Sequence, residues 1–189
     1  MPIRALMLAA VIWTATQGAL AAAGPATVPL RDGSNPLSFG AGAPDGMAVL
    51  GHRENFNAHS FDVLSLYIRS RPSPDETAQW QLVSLFDGDA ETLFLTSGGG
   101  ADCKLHDFRL VRDSPSAAPR LIVARRDMGA SYADAAPVHF KYYVLRHNSS
   151  GEVGRPLYYF ALERQSVARQ PYCDVGDAFQ QELGIKAYR

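Results

Sequence analysis

The sequence lacks the residue patterns that mark the common kinds of catalytic site. It has two cysteines, which are too far apart to form a redox C-x-x-C pair. It contains no S-x-x-K, and residues 129–133 (GASYA) miss the last glycine of a G-x-S-x-G nucleophile elbow. The five histidines show no H-x-H-x-D or H-E-x-x-H spacing. We therefore predict no catalytic residues, no metal site and no cofactor.

Neither sign of charge dominates. The chain carries 18 basic and 19 acidic residues, for a net charge of −1. A protein that binds nucleic acid in general would normally show a basic excess or patch, so we expect no nucleic-acid partner. Only three of the basic residues are lysines, and the rest are arginines, whose planar guanidinium suits carboxylate recognition.

The beginning of the chain has the order of a secretory signal peptide. Arg4 precedes an apolar run over residues 5–15, and alanines with A-x-A spacing follow at residues 19–23. The apolar run is too short to span a bilayer as a permanent helix. We therefore predict that residues 1–23 are a cleavable leader, that the mature chain has no membrane anchor, and that it resides in the periplasm.

The remaining residues, 24–189, have the pattern of a single β-rich domain. Residues 24–46 are rich in Pro, Gly, Ala and Ser and predict an irregular N-terminal arm. Beyond them, short apolar or alternating runs separated by turn residues predict strands, one of them over residues 80–86, with a hairpin over 138–146 and 157–164. Asp174 and Gly184 bracket helical spacing and predict one helix. The expected fold is all-β, mainly antiparallel with two packed sheets, plus one short C-terminal helix.

The two cysteines, Cys103 and Cys173, predict a structural disulfide, because an exported protein folds in an oxidising compartment. Within one chain the bridge would close a loop of about 70 residues and stabilise the fold by about 4 kcal/mol. The sequence leaves open whether the bridge forms within or between chains.

Three segments together carry a family resemblance: residues 55–62 (NFNAHSFD), 97–109 (SGGGADCKLHDFR) and 172–175 (YCDV). In these segments the chain resembles the periplasmic carbapenem intrinsic-resistance, or self-resistance, proteins of the CarG kind. The resemblance implies a small exported β protein that forms homodimers. It also implies protection of a producer cell from a carbapenem without β-lactamase activity, and it brings no catalytic residues.

A carbapenem ligand would suggest its own binding residues. The drug carries a carboxylate, which an arginine near a crevice would receive. The sequence offers four candidates, which are Arg53, Arg109, Arg125 and Arg126. Polar residues of the same segments complete the predicted ligand-binding set, namely His59, Asp62, Asp102 and His106.

Two other functions stay open at this level. A periplasmic immunity or inhibitor protein would block a secreted wall-degrading enzyme, using protruding loops such as residues 54–58 and 127–137 on a rigid scaffold. A hydrolase is the last alternative, and it would require His59, Asp62, His106 and Asp107 to cluster in space. Catalytic turnover would identify a hydrolase, and a tight protein partner would identify an inhibitor.

Overall fold

The computed structural model describes residues 25–71, 73–100 and 102–189, so the predicted signal peptide lies outside the described residues. The described chain forms twelve strands and one helix. The first six strands are β1 (Ala26–Thr27), β2 (Gly33–Ser38), β3 (Asp45–Arg53), β4 (Phe61–Ser70), β5 (Gln79–Leu82) and β6 (Leu85–Asp87). The others are β7 (Ala90–Thr92), β8 (Leu95–Gly99), β9 (Lys104–Arg112), β10 (Arg120–Arg126), β11 (Val138–His147) and β12 (Tyr158–Val167), followed by α1 (Val175–Leu183).

The strands follow one hydrogen-bonded path, in the order β2-β3-β4-β8-β9-β10-β11-β12-β6-β7. β1 adds to β9 and β5 adds to β4. All of these pairs are antiparallel except β12 with β6, which is parallel. The path has two halves because β8 pairs with β4 on one side and with β9 on the other. The all-β class with one C-terminal helix is confirmed.

Two adjoining cores hold the halves and the helix together. In the first core, Leu64 and Leu66 of β4 face Phe108 and Leu110 of β9, since alternate strand residues point to one side. In the second core, the other face of β9–β11 packs against Phe179 and the neighbouring apolar residues of α1. The sheet of β9, β10 and β11 is therefore buried between two layers over most of its length.

The region of residues 24–46 was wrongly predicted to be an irregular arm. It contains β1 and β2, and β2 pairs with β3 from Gly33 to Ser38. Pro36 lies within β2, and its missing N–H is tolerated because β2 is at the end of the sheet path. The turn residues of this region therefore accompany an edge strand.

The predicted helix is confirmed at both ends. The Asp174 side chain accepts a hydrogen bond from the Gly176 N–H, as an N-cap does, and Gly184 ends the helix in the left-handed conformation at φ +66°. No helix in the described ranges is long and apolar enough to cross a membrane.

Candidate functional site

The three segments that carry the family resemblance meet where β8 ends. There Asp62 of β4 pairs with Ser97, and Gly98 pairs with His106 of β9. Glycine is required because the neighbouring strands come very close. A Cβ on Gly98 would lie 2.9 Å from the Phe61 Cβ, and one on Gly99, at φ +137°, would lie 2.6 Å from the Leu105 side chain.

A disulfide and one carboxylate make this end of the molecule rigid. Cys103, just before β9, is bonded to Cys173 of the same chain. The next residue, Asp174, accepts hydrogen bonds from the Lys104 N–H at 2.9 Å and the Gly176 N–H at 2.6 Å. The start of β9 and the start of α1 are thus joined twice. The predicted disulfide is confirmed, and it closes within one chain.

The disulfide cleft is a hollow of about 280 Å³ between the start of β4, the glycines and the disulfide. It contains two of the predicted ligand residues, Asp62 and Asp102. The other lining residues are His52, Ser60, Phe61, Ser97, Gly98, Gly99, Gly100, Cys103, Lys104 and Asp174. Carboxylates outnumber cations among these residues, so this cleft does not favour an anionic ligand.

Asp62 is already engaged by protein groups. It accepts hydrogen bonds from His52 Nδ1 at 2.9 Å and Tyr188 Oη at 3.0 Å, and Arg189 lies 3.2 Å away. The hydrogen bond from His52 raises the pKa of that histidine, and burial raises the pKa of Tyr188. Asp62 therefore fastens the C-terminal residues to β3 and β4.

The histidine cleft lies on the other side of Gly99 and Phe61. One part, of about 250 Å³, is lined by His59, Phe61, Thr96, Gly99 and His106. A second hollow, of about 260 Å³, is lined by Leu105, His106, Arg125, Arg126, Asp127 and Met128. His106 borders both hollows, so they adjoin, and together they make the groove of the histidine cleft, with a mainly apolar part and a cationic part.

Three side chains form a row across the strands at this groove, and two of them, His106 and Arg125, line it. His106, Arg125 and His139 are direct cross-strand partners on β9, β10 and β11, and their side chains share one face of the sheet. His139 Nε2 lies 3.1 Å from an Asp127 carboxylate oxygen. Burial and then the Arg125 charge lower the pKa of His106, which favours its neutral form.

Arg125 is the cation of this groove that has no partner. Its side chain is exposed, and within the described part of the chain it makes neither an ion pair nor a hydrogen bond. Across the groove, His59 Nδ1 donates to the Gly99 carbonyl oxygen at 3.1 Å, which holds the imidazole above the glycines. An anion in the cationic part would therefore meet the Arg125 guanidinium and the His106 imidazole, and the adjoining apolar part adds the His59 imidazole.

Two of the predicted arginines are buried and occupied. Arg109 forms an ion pair with Asp107 at 2.6 Å, donates to the Lys186 carbonyl oxygen, and lies over the Phe179 ring at 4.5 Å. Arg126 donates to the carbonyl oxygens of residues 131, 132, 134 and 173 and so holds the loop after β10.

Arg53 and Asp102 are exposed, and neither lines the groove. Arg53 donates to the Asn55 side chain and lies over the Phe61 ring, at 5.5 Å from its centroid. The structure thus brings His59, His106 and Arg125 together and leaves Asp62 and Asp102 in the neighbouring cleft. Sequence reasoning missed Phe61, which lines the groove, and His139, which is the cross-strand partner of Arg125, because both placements depend on strand pairing.

A larger hollow, of about 610 Å³, lies far from these residues beside the edge strand β2. Its walls include Pro36, Leu37, Met47 and Trp80, and its charged residue is Asp45. A carboxylate on a ligand would meet no cation there. We therefore place the candidate site in the histidine cleft and not in the larger hollow.

The architecture that holds these clefts was compared with known proteins. The chain superposes on the crystal structure of CarG with a TM-score of 0.67 and 20% identity, over 82% of this chain and 94% of that one. The chain has a CarG-like fold. The sequence matches no protein-family model and no curated protein. The resemblance inferred from three short segments is thus confirmed for the fold.

Among the described residues, no group of three or more His, Cys, Asp or Glu side chains could hold a metal ion. His59 and His106 share a cleft, but Asp62 is taken up by its own partners and Asp107 is buried against Arg109. The two histidines and two aspartates that a hydrolase would need therefore do not form one cluster.

Proposed function

We propose that this protein is an exported periplasmic carbapenem-resistance protein that binds the drug in the histidine cleft without turning it over. The fold it shares with CarG supports the class of protein. The observation that carries the site is Arg125, an exposed guanidinium with no partner among the described residues, in a hollow that shares His106 with the more apolar hollow next to it. This pairing of an apolar wall with one free cation fits a compact bicyclic ligand that carries a carboxylate.

The chemistry assigned to each side chain is simple. Arg125 binds the drug carboxylate through charge-assisted hydrogen bonds. His59 and His106 supply N–H donors or acceptors to the ring substituents, and Phe61 and Thr96 contact the ring system. Non-covalent binding of this kind removes free drug in proportion to the amount of protein.

The serines beside the clefts support binding without turnover. Ser60 donates to the Glu54 carboxylate at 2.7 Å, and this bond, with one from the Phe56 N–H, lowers the pKa of Glu54 and weakens it as a base. Ser97 is 3% exposed. Neither hydroxyl stands beside a strong base in the open cleft, as an acylating nucleophile would require.

The test compares Arg125→Ala with Arg146→Ala, which removes another exposed arginine from the far part of β11. We expect Arg125→Ala to weaken carbapenem binding by about ten- to a hundredfold, since a hydrogen bond to a charged group contributes about 1.5–3 kcal/mol. Arg146→Ala should bind as the wild type does. Calorimetric titration of the purified proteins measures both.

The cellular half of the test uses a sensitive host that exports each variant. Wild type and Arg146→Ala should raise the inhibitory concentration of carbapenems but not of penicillins, whereas Arg125→Ala should not. The drug concentration in the medium should stay constant. Loss of drug with time would show turnover. Equal protection by the wild type and by Arg125→Ala would show that the drug does not bind in this cleft.

A further inference from the structure

The loop between β3 and β4, residues 54–60, presents an aromatic side chain to solvent in a constrained conformation. Phe56 is 95% exposed, and its φ of +54° lies in the left-handed region that non-glycine residues seldom adopt. We propose that this loop is a protein-binding element and that Phe56 inserts into an apolar pocket of a partner protein. The proposal is independent of drug binding in the histidine cleft.

The conformation of the loop is held by its own polar side chains. The Phe56 N–H donates to Glu54 Oε1 at 2.7 Å, and the Ser60 hydroxyl donates to the same oxygen at 2.7 Å. The Asn55 side-chain amide donates to the His59 carbonyl oxygen, and the His59 N–H donates to the Asn57 side chain. These bonds order the loop on both sides of Phe56.

These hydrogen bonds hold the Phe56 side chain in solvent, away from the rest of the chain. The aromatic ring nearest in sequence, Phe61, lines the clefts and has the Arg53 guanidinium on its face. A ring that is 95% exposed can make few stabilising contacts within its own chain. It does suit an interface, because the loop has lost its conformational freedom before the partner arrives and a rigid aromatic side chain is a common binding anchor.

Further apolar side chains border the same end of the molecule. The loop contacts the glycines through the His59 bond to Gly99, and Tyr132 lies next to Gly100. Tyr132 and Met128, both in the loop after β10, are 54% and 59% exposed. Two ordered loops with exposed apolar side chains therefore flank the clefts, which gives a partner a central anchor and a second contact.

The surrounding charges favour a protein over a lipid surface. Glu54, Asp102, Asp127 and Asp134 lie on the loops at this end, where the cations are Arg53, Lys104 and Arg125. An anionic membrane attracts loops with a basic excess, which this end does not have. A protein pocket that is apolar inside and polar at its rim fits Phe56 and these mixed charges.

The first test places a photoreactive phenylalanine analogue at position 56 of the full chain in its native cells. The same analogue at position 153 is the control, because Val153 is 98% exposed and lies in the turn between β11 and β12, away from the clefts. We expect one discrete heavier adduct from position 56 and none from position 153. Similar adducts from both positions, or none from either, would overturn the proposal.

The second test uses the adduct partner, identified by mass spectrometry and purified. Asn tolerates the left-handed region, so Phe56→Asn should raise the melting temperature by about 2–4 °C, which shows that the fold is intact. It should weaken partner binding by about 30-fold or more, whereas Val153→Asn should leave binding unchanged. Unchanged affinity in Phe56→Asn would overturn the proposal.

Two further results would also overturn it. An adduct with a second copy of this chain would make Phe56 a self-association contact. Phe56-dependent binding to phosphatidylglycerol vesicles, without a protein adduct, would make the loop a lipid anchor. Carbapenem titration of Phe56→Asn keeps the two proposals apart, because drug affinity should be that of the wild type whichever result the partner experiments give.

Discussion

The two faces of the sheet formed by β9, β10 and β11 use the same residue types in opposite ways. On the face toward α1, Asp107, Arg109 and Arg126 are buried and bound to other protein groups. On the other face, at the end of the same strands, His106 is half-buried and Arg125 is exposed. Neighbours in sequence thus have different roles because strand side chains alternate between faces.

What differs between the faces is the layer that covers them. The helix and the C-terminal residues cover Asp107 and Arg109, so these charges had to be paired to be buried at all. The first core covers the other face as far as Phe108 and Val123. The next residues outward on that face, His106 and Arg125, lie beyond this core. The covering layer therefore makes Arg109 a structural residue, whereas Arg125 has no such layer and is free to bind a ligand.

Breaking the buried pair should have the largest effect. Asp107→Ala leaves the Arg109 guanidinium without a carboxylate, although it is only 2% exposed. We expect the free energy of unfolding to fall by about 3–5 kcal/mol, the usual cost of an unpaired buried charge. Denaturant unfolding measures this change. The double variant Asp107→Leu with Arg109→Met should recover much of the loss, and a loss below about 1 kcal/mol in the single variant would contradict the assignment.

Gly99 separates the two clefts, and replacing it should have a smaller effect on stability. Gly99→Ala puts a methyl group against Leu105 at a φ of +137°, which we expect to cost about 1–3 kcal/mol and to disturb the proposed drug site. Gly51→Ala in β3 is the control, because a Cβ there meets no atom within 4 Å. Thermal unfolding and carbapenem titration test both variants. Equal behaviour of the two would show that β8 can move away from β9.

Local features of the fold could be predicted from the sequence where short-range chemistry decides them. The caps of α1, the β11–β12 hairpin and the disulfide all follow from residue types close together or from a single cysteine pair. Residues 80–86 predicted one strand, yet the run divides into β5 and β6, which join different halves of the sheet. A continuous apolar run in the sequence does not show that the chain passes from one half of the sheet to the other within it.

The candidate site was predictable only in part, because strand register assembles it. His106, Arg125 and His139 become neighbours through pairing of three strands, which no local pattern in any one strand specifies. Asp62 receives a hydrogen bond from Tyr188, 126 residues away. Residue types thus identified His59, His106 and Arg125 as candidates, but only the register separated Arg125 from its buried neighbour Arg126.

The smallest predicted effect compares two histidines whose pKa values shift in opposite directions. His52 has a raised pKa, so its bond to Asp62 stabilises the fold fully below about pH 6.5 and is lost as the pH rises through the raised value. His106 has a lowered pKa, so stability is retained above about pH 6.5 and falls as the pH drops toward the lowered value. Melting temperatures between about pH 5 and pH 8 should therefore lose their alkaline slope in His52→Gln and part of their acid slope in His106→Gln. Protonated His106 also adds a cation beside Arg125, so the proposed carbapenem binding should strengthen as the pH falls through the lowered pKa of His106 in the wild type and not in His106→Gln. Identical pH profiles in the wild type and both variants would contradict the assigned environments.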